Sequence, residues 1–182
     1  MHLYLLPHIL LYVLSKKKGE IDDDLQVMRE KAQVDYANVK ALVYLLIINK
    51  YYRNIFYNRI GRVSFLFSWL LPASKDFHPC KNIGGGIYCA HPYATILNAK
   101  SIGKHFSVRQ CTTLGNKIDG EGTNGPIIGD NVYLGANVCV IGNIRIGNNV
   151  IVGAGAVVVK DVPDNCIVAG NPAKIIKRLQ IE

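Results

Sequence analysis

The chain has 182 residues, which by length is one domain or one domain with an appendage. Hydrophobic residues make up 49% of it, enough to build a core, so an intrinsically disordered protein is excluded. The 21 Lys and Arg against 13 Asp and Glu leave a net charge of +8, which suits an anionic ligand or surface without saying which. The five cysteines, Cys80, Cys89, Cys111, Cys139 and Cys166, form an odd set without a CxxC pair. That argues against a disulfide framework and a structural zinc site, and for a reducing compartment.

The chain opens with an apolar stretch followed by Lys16, Lys17 and Lys18. A secretory signal would carry its charge before the apolar stretch and a small-residue cleavage site after it, and neither is present. The longest unbroken apolar runs, such as residues 41–48, fall far short of the roughly 20 residues of a spanning helix. The expectation is a cytoplasmic protein that does not cross the membrane and binds no nucleic acid.

Composition changes near Pro72-Ala73-Ser74. Residues 1–75 hold 11 of the 16 aromatics and only two glycines, Gly19 and Gly61. They are expected to be helical, with one helix over residues 22–46 opened by Asp22, Asp23 and Asp24, whose charge suits a helix N-terminus. Residues 51–71 mix Arg53, Arg59 and Arg62 with large aromatics and leucines. Such a stretch can lie on an anionic membrane at its inner face, or pack on the second half or on a partner subunit; both readings stay open.

The second half repeats. Every sixth residue from 128 is aliphatic: Ile128, Leu134, Val140, Ile146, Val152 and Val158. Glycine follows four of the six, at Gly129, Gly135, Gly147 and Gly153. The fifth position of each hexad is small or β-branched: Val132, Val138, Ile144, Val150, Ala156 and Val162. An earlier block keeps the period at Ile96, Ile102, Val108 and Leu114. A period of six is neither helical nor a simple alternation, and marks a hexapeptide β-helix. Each hexad makes one short strand and a corner, and three make a coil of roughly 18 residues whose aliphatic column stacks on the coils above and below. The period breaks between Leu114 and Ile128, where the insert GNKIDGEGTNGP is polar and glycine-rich, a loop placed for function. The expected organisation is a helical aromatic and basic segment over 1–75, a β-helix over 76–173 with a loop at 115–127, and a short tail over 174–182.

The six clean hexads followed by VPDNCIVAGNPAKII resemble the hexapeptide-repeat acyltransferases, which implies a left-handed parallel β-helix and acyl-CoA chemistry. The stretch DFHPCKNIGGGIYCAHPYATI, residues 76–96, is similar to the serine acetyltransferase branch, in which a histidine follows the aspartate of a D-x-H-P turn by 15 residues. Here these are Asp76 and His91, and CTTLGN at 111–116 resembles that branch's turn before its active-site loop. Two positions depart from the branch. The residue before the histidine is acidic there and Ala90 here. The Arg-His pair that ends the branch's loop and helps hold its amino-acid acceptor is replaced by Asn124 and Gly125. A carboxylate needs a charge-assisted donor, and a neutral hydroxyl does not. With the aromatic, basic N-terminal segment and the GNPAKII ending, this makes the chain similar to capsule and exopolysaccharide O-acetyltransferases.

What the resemblance implies is a general-base mechanism. His91 takes the proton of the acceptor hydroxyl as the new ester forms, a role suited to imidazole at neutral pH. Asp76 orients the ring and stabilises the imidazolium. The spacing is a little under one coil, so the two can occupy neighbouring levels of one edge. Cys89 lies two residues before His91 and invites a covalent acetyl-enzyme, but the family transfers directly, and a small buried cysteine is the preferred reading. His78, His91 and His105 lack the close pair of a β-helix zinc site, so no metal is required. The resemblance places acetyl-CoA in a groove between subunits of a homotrimer. There Gly115 and Asn116 would flank the thioester, Ala136, Gly153 and Ala154 the pantetheine, and Lys160, Pro172 and Lys174 the adenine and phosphates. The expected activity is acetyl-CoA-dependent O-acetylation of a saccharide hydroxyl in surface-polysaccharide synthesis. Serine O-acetylation and a non-catalytic β-helix scaffold are the alternatives.

Overall fold

The structure is a computed structural model and describes residues 3–33, 35–117 and 125–180. Four helices come first: α1 (Leu6–Leu14), α2 (Lys18–Ala32), α3 (Asn38–Ile48) and α4 (Lys50–Ile60), followed by a 3-10 turn at Gly61–Leu66. The single helix expected over 22–46 is two. α2 stops at Gln33, which takes a left-handed conformation at φ 54° and turns its N–H back onto the carbonyls of Arg29 and Glu30. α4 is opened by Asn49, whose side-chain oxygen accepts from the N–H groups of Tyr51 and Tyr52, both at 3.0 Å. Leu5, Tyr12, Ile21, Leu25, Leu42, Leu46 and Phe56 are buried together as the core of this layer. Each such side chain contributes roughly 1.5–3 kcal/mol on leaving water.

The basic face expected along 51–71 is not formed. Arg59 is 3% exposed. Arg53 donates to the carbonyls of Leu46, Ile47 and Pro72 at 2.6, 2.7 and 2.8 Å, closing the C-terminus of α3. Only Arg62 of the three is exposed. No helix among the described residues is long and apolar enough to cross a membrane.

The rest is a left-handed parallel β-helix of three sheets. The first sheet holds β1 (Phe77–His78), β3 (Thr95–Leu97), β6 (Thr113–Gly115), β9 (Cys139–Ile141) and β12 (Val157–Val158). The second holds β4 (Ser101–Ile102), β7 (Ile127–Ile128) and β10 (Arg145–Ile146). The third holds β2 (Tyr88–Ala90), β5 (Ser107–Arg109), β8 (Tyr133–Leu134), β11 (Val150–Val152), β13 (Cys166–Ala169) and β14 (Lys174–Arg178). Regular coils advance 18 residues: Ile127 pairs with Arg145, Tyr133 with Ile151, Cys139 with Val157. Ser101 pairs with Ile127, 26 residues on, so the coil carrying the loop has 26 − 18 = 8 extra residues. Residues 118–124 of that loop, Asn124 among them, lie outside the described residues.

All six aliphatic positions from Ile128 to Val158 are buried, with Val132, Val138, Val150, Ala156 and Val162 beside them. Ile144 at the fifth position is only partly buried. In the earlier block the frame is shifted at its start. Ile96 is 45% exposed and its neighbour Leu97 fills the prism, in register with Leu114. The corner from Leu97 to Ile102 is one residue short of a hexad, which a strict period cannot register.

The corners explain the small and amidic residues. A Cβ on Gly129 would lie 2.7 Å from the carbonyl oxygen of Gly147, because corner backbones stack directly coil on coil. Between the second and third sheets, Asn131, Asn149 and Asn165 all take left-handed φ of 54–58°, the conformation asparagine tolerates best after glycine. Their amides form a ladder, Asn131 to Asn149 at 3.0 Å and Asn149 to Asn165 at 2.8 Å.

The helical layer is pinned to the first coil by one buried ion pair. Asp24 on α2 accepts from Arg59 on α4 at 3.0 Å and from the N–H groups of Gly86 and Ile87 at 2.9 and 3.0 Å. Arg59 also donates to the carbonyls of Ile83 and Gly84. Gly85 fits only without a side chain, since a Cβ would stand 2.4 Å from an oxygen of Asp23.

Candidate active site

The corner between the third and first sheets carries the candidate catalytic pair. Asp76 immediately precedes β1, and His91 opens the turn between β2 and β3. Thr95, at the end of that turn, donates its N–H to the Asp76 carbonyl at 3.0 Å, so the two residues occupy successive levels of one edge. His91 is exposed and takes a left-handed φ of 50°, a conformation that costs a non-glycine residue about 1–3 kcal/mol and turns its side chain out of the strand path. The Asp76 carboxylate meets Ser74 Oγ at 3.5 Å and Lys50 Nζ at 3.9 Å.

Beside His91 lies a cleft of about 270 Å³, lined by Tyr88, Ala90, His91 and Pro92 from the β-helix and by Met28, Asn49 and Tyr51 from the helices. The helical layer is therefore one wall of the cleft, a role not anticipated for residues 1–75. Cys89, between Tyr88 and Ala90, is in register with buried Val108 and packs on the prism core. Burial pushes its thiol far above the ordinary range, which leaves no thiolate for nucleophilic attack.

The expected acetyl-CoA residues fall in two groups. Ala136, Gly153 and Ala154 continue the edge of Asp76 and His91 upward: Gly155 donates to the Ala136 carbonyl at 2.8 Å, and Gly153 to Val168 at 2.8 Å. The strand-end segment carrying Pro172 lies over the same edge, since Val157 donates to Gly170 at 3.0 Å and Ala173 to Val157 at 2.8 Å. Gly115, Asn116 and Lys160 stand at the opposite edge of the first sheet, and Lys174 opens β14 on the third. A larger hollow of about 600 Å³, bounded by His78, Cys80, Lys81, Asn98, Lys100 and Gly125, lies at the Gly115 edge and includes neither His91 nor Asp76. Among the described residues no group of His, Cys, Asp and Glu is arranged to hold a metal ion.

Residues 125–160 match the family model for the bacterial transferase hexapeptide (six repeats). A mitochondrial serine acetyltransferase of Arabidopsis thaliana is 45% identical over 102 residues, 56% of this chain and 26% of that protein. The serine acetyltransferase of Staphylococcus epidermidis is 33% identical over 147 residues, 79% of this chain and 67% of that protein. The chain belongs to the serine acetyltransferase family. Solved members share the fold: the Neisseria gonorrhoeae serine acetyltransferase superposes with TM-score 0.71 at 27% identity, covering 91% of this chain and 66% of that one. The same protein in complex with serine gives TM-score 0.68 at 28% identity, covering 86% and 68%. This serine acetyltransferase-family chain spans about a quarter of the Arabidopsis relative and two thirds of the staphylococcal one.

These relatives overturn the saccharide acceptor expected from Asn124, Gly125 and the aromatic N-terminal segment: the matched proteins are serine acetyltransferases. The inference failed at one physical step. It equated loss of two cations from one loop with loss of every cation near the acceptor, although strand neighbours far apart in sequence can supply charge to the same spot.

Proposed function

We propose that this chain is an acetyl-CoA-dependent serine O-acetyltransferase. The observation that carries the reading is the His91-lined cleft at a β-helix corner, in a chain aligned over 79% of its length with the staphylococcal serine acetyltransferase. The imidazole of His91 accepts the proton of the serine hydroxyl as its oxygen attacks the thioester carbonyl. The tetrahedral intermediate then expels the thiolate of coenzyme A, which takes the proton back from the imidazolium. Asp76, one level below, offers the carboxylate that orients the ring and offsets its positive charge; a small swing away from the long contacts to Ser74 and Lys50 brings it to that task. The pantetheine arm runs along the edge of Ala136, Gly153, Ala154 and Pro172, where small side chains admit it. Gly115, Asn116, Lys160 and Lys174 belong to the far wall supplied by a neighbouring subunit of a trimer. The test is an acceptor assay with purified protein and acetyl-CoA, following release of free coenzyme A and formation of O-acetylserine. Turnover with L-serine is expected; its absence, with acetyl-CoA binding retained, refutes the reading.

A further inference from the structure

The cleft that holds His91 has the outer face of β2 as its floor, and the next strand up is β5, where Arg109 pairs in register with Ala90. Neighbouring strands lie about 4.8 Å apart with their side chains side by side, so Arg109 stands at the rim of the cleft, one strand above the residue that precedes His91. It is exposed, yet held: its Nε donates to the hydroxyl of Tyr133, one strand further up, at 2.6 Å. That anchor turns the end of the guanidinium fork, with its two terminal nitrogens, outward as a bidentate donor for a planar anion. Ala90 matters as much as the arginine. An acidic side chain at that position would sit directly across the strands and neutralise Arg109, whereas a methyl group leaves the fork charged and unobstructed.

We propose that Arg109 binds the carboxylate of the amino-acid acceptor and so sets the preference for a zwitterionic hydroxyl substrate. The proposal rests on the serine reading above and adds the residue that enforces it. Two other cations stand near the cleft, and both are placed differently. Lys50 pairs with Asp76 at 3.9 Å and lies over the ring of Tyr51 at 5.0 Å. Lys31 lies over Tyr88, at the end of β2 away from His91, 5.5 Å from the ring centroid. Arg109 alone of the three combines the register of Ala90, a fixed fork and an outward terminal face.

Steady-state kinetics with L-serine and L-serinamide, whose amide cannot form the charge pair, tests this. In Arg109→Gln the KM for L-serine should rise roughly 10- to 100-fold, the loss expected for a charge-assisted bidentate contact. The kcat, the KM for acetyl-CoA and the KM for serinamide should stay within about threefold. Arg109→Lys should recover part of the serine affinity, Tyr133→Phe should raise the serine KM by less than Arg109→Gln, and Lys31→Gln should leave it unchanged. An unmoved serine KM in Arg109→Gln, or an equal rise for both acceptors, overturns the assignment while serine acetylation by the wild type stands. A wild type that does not acetylate serine overturns the parent reading and this one together.

Discussion

His91 and Cys89 are two residues apart and do opposite things because one turns out at a corner and the other points into the prism. Replacing His91 by alanine should lower kcat by about 10²- to 10⁴-fold, the usual contribution of a general base, while acetyl-CoA binding persists. Near-normal turnover, with contaminating enzyme excluded, would remove it from the mechanism. Cys89→Ala should remain active, and intact mass spectrometry of the wild type given acetyl-CoA alone should show no stoichiometric acetyl adduct. Both residues were legible as candidates from spacing. The reason Cys89 is inert was not, because inward direction is set by register with Val108 and only the folded prism shows it. Arg109 was passed over entirely, since its meaning lies in a neighbour 19 positions away across two strands.

At the level of elements, the union of helices and β-helix depends on Asp24 and Arg59, both almost fully buried. Arg59→Met should therefore destabilise the protein by about 3–5 kcal/mol, because it strands a buried carboxylate; urea unfolding of both proteins at pH 7 measures it. A loss below 1 kcal/mol would mean the junction is held by apolar packing instead. The sequence presented these residues under other guises, Asp24 as one of three acids at a helix start and Arg59 as part of a basic face. Their pairing spans 35 positions and is invisible to any local pattern. The hexads, by contrast, were readable because their partners recur at a constant offset, and that legibility failed only where the offset changed, at the short corner after Leu97.

For the whole molecule, the proposed shared groove predicts three chains per particle by light scattering or native mass spectrometry; a monomer with full activity would refute it. The two ends of the prism bear on a different outcome. A parallel β-helix leaves open strand edges at both ends, a template on which further copies can add. Here the N–H groups of Gly86 and Ile87 at the first coil are taken up by Asp24. At the other end β14 folds back antiparallel onto β13, exposed along its whole length and bearing Lys174, Lys177 and Arg178. Reversed direction and like charge together make that strand a terminator. A chain ended at Ala173 should then show concentration-dependent growth into rods visible by negative-stain microscopy, where the full chain stays discrete, and rods that dissolve on adding back the missing peptide would identify β14 as the molecule's stop against polymerisation.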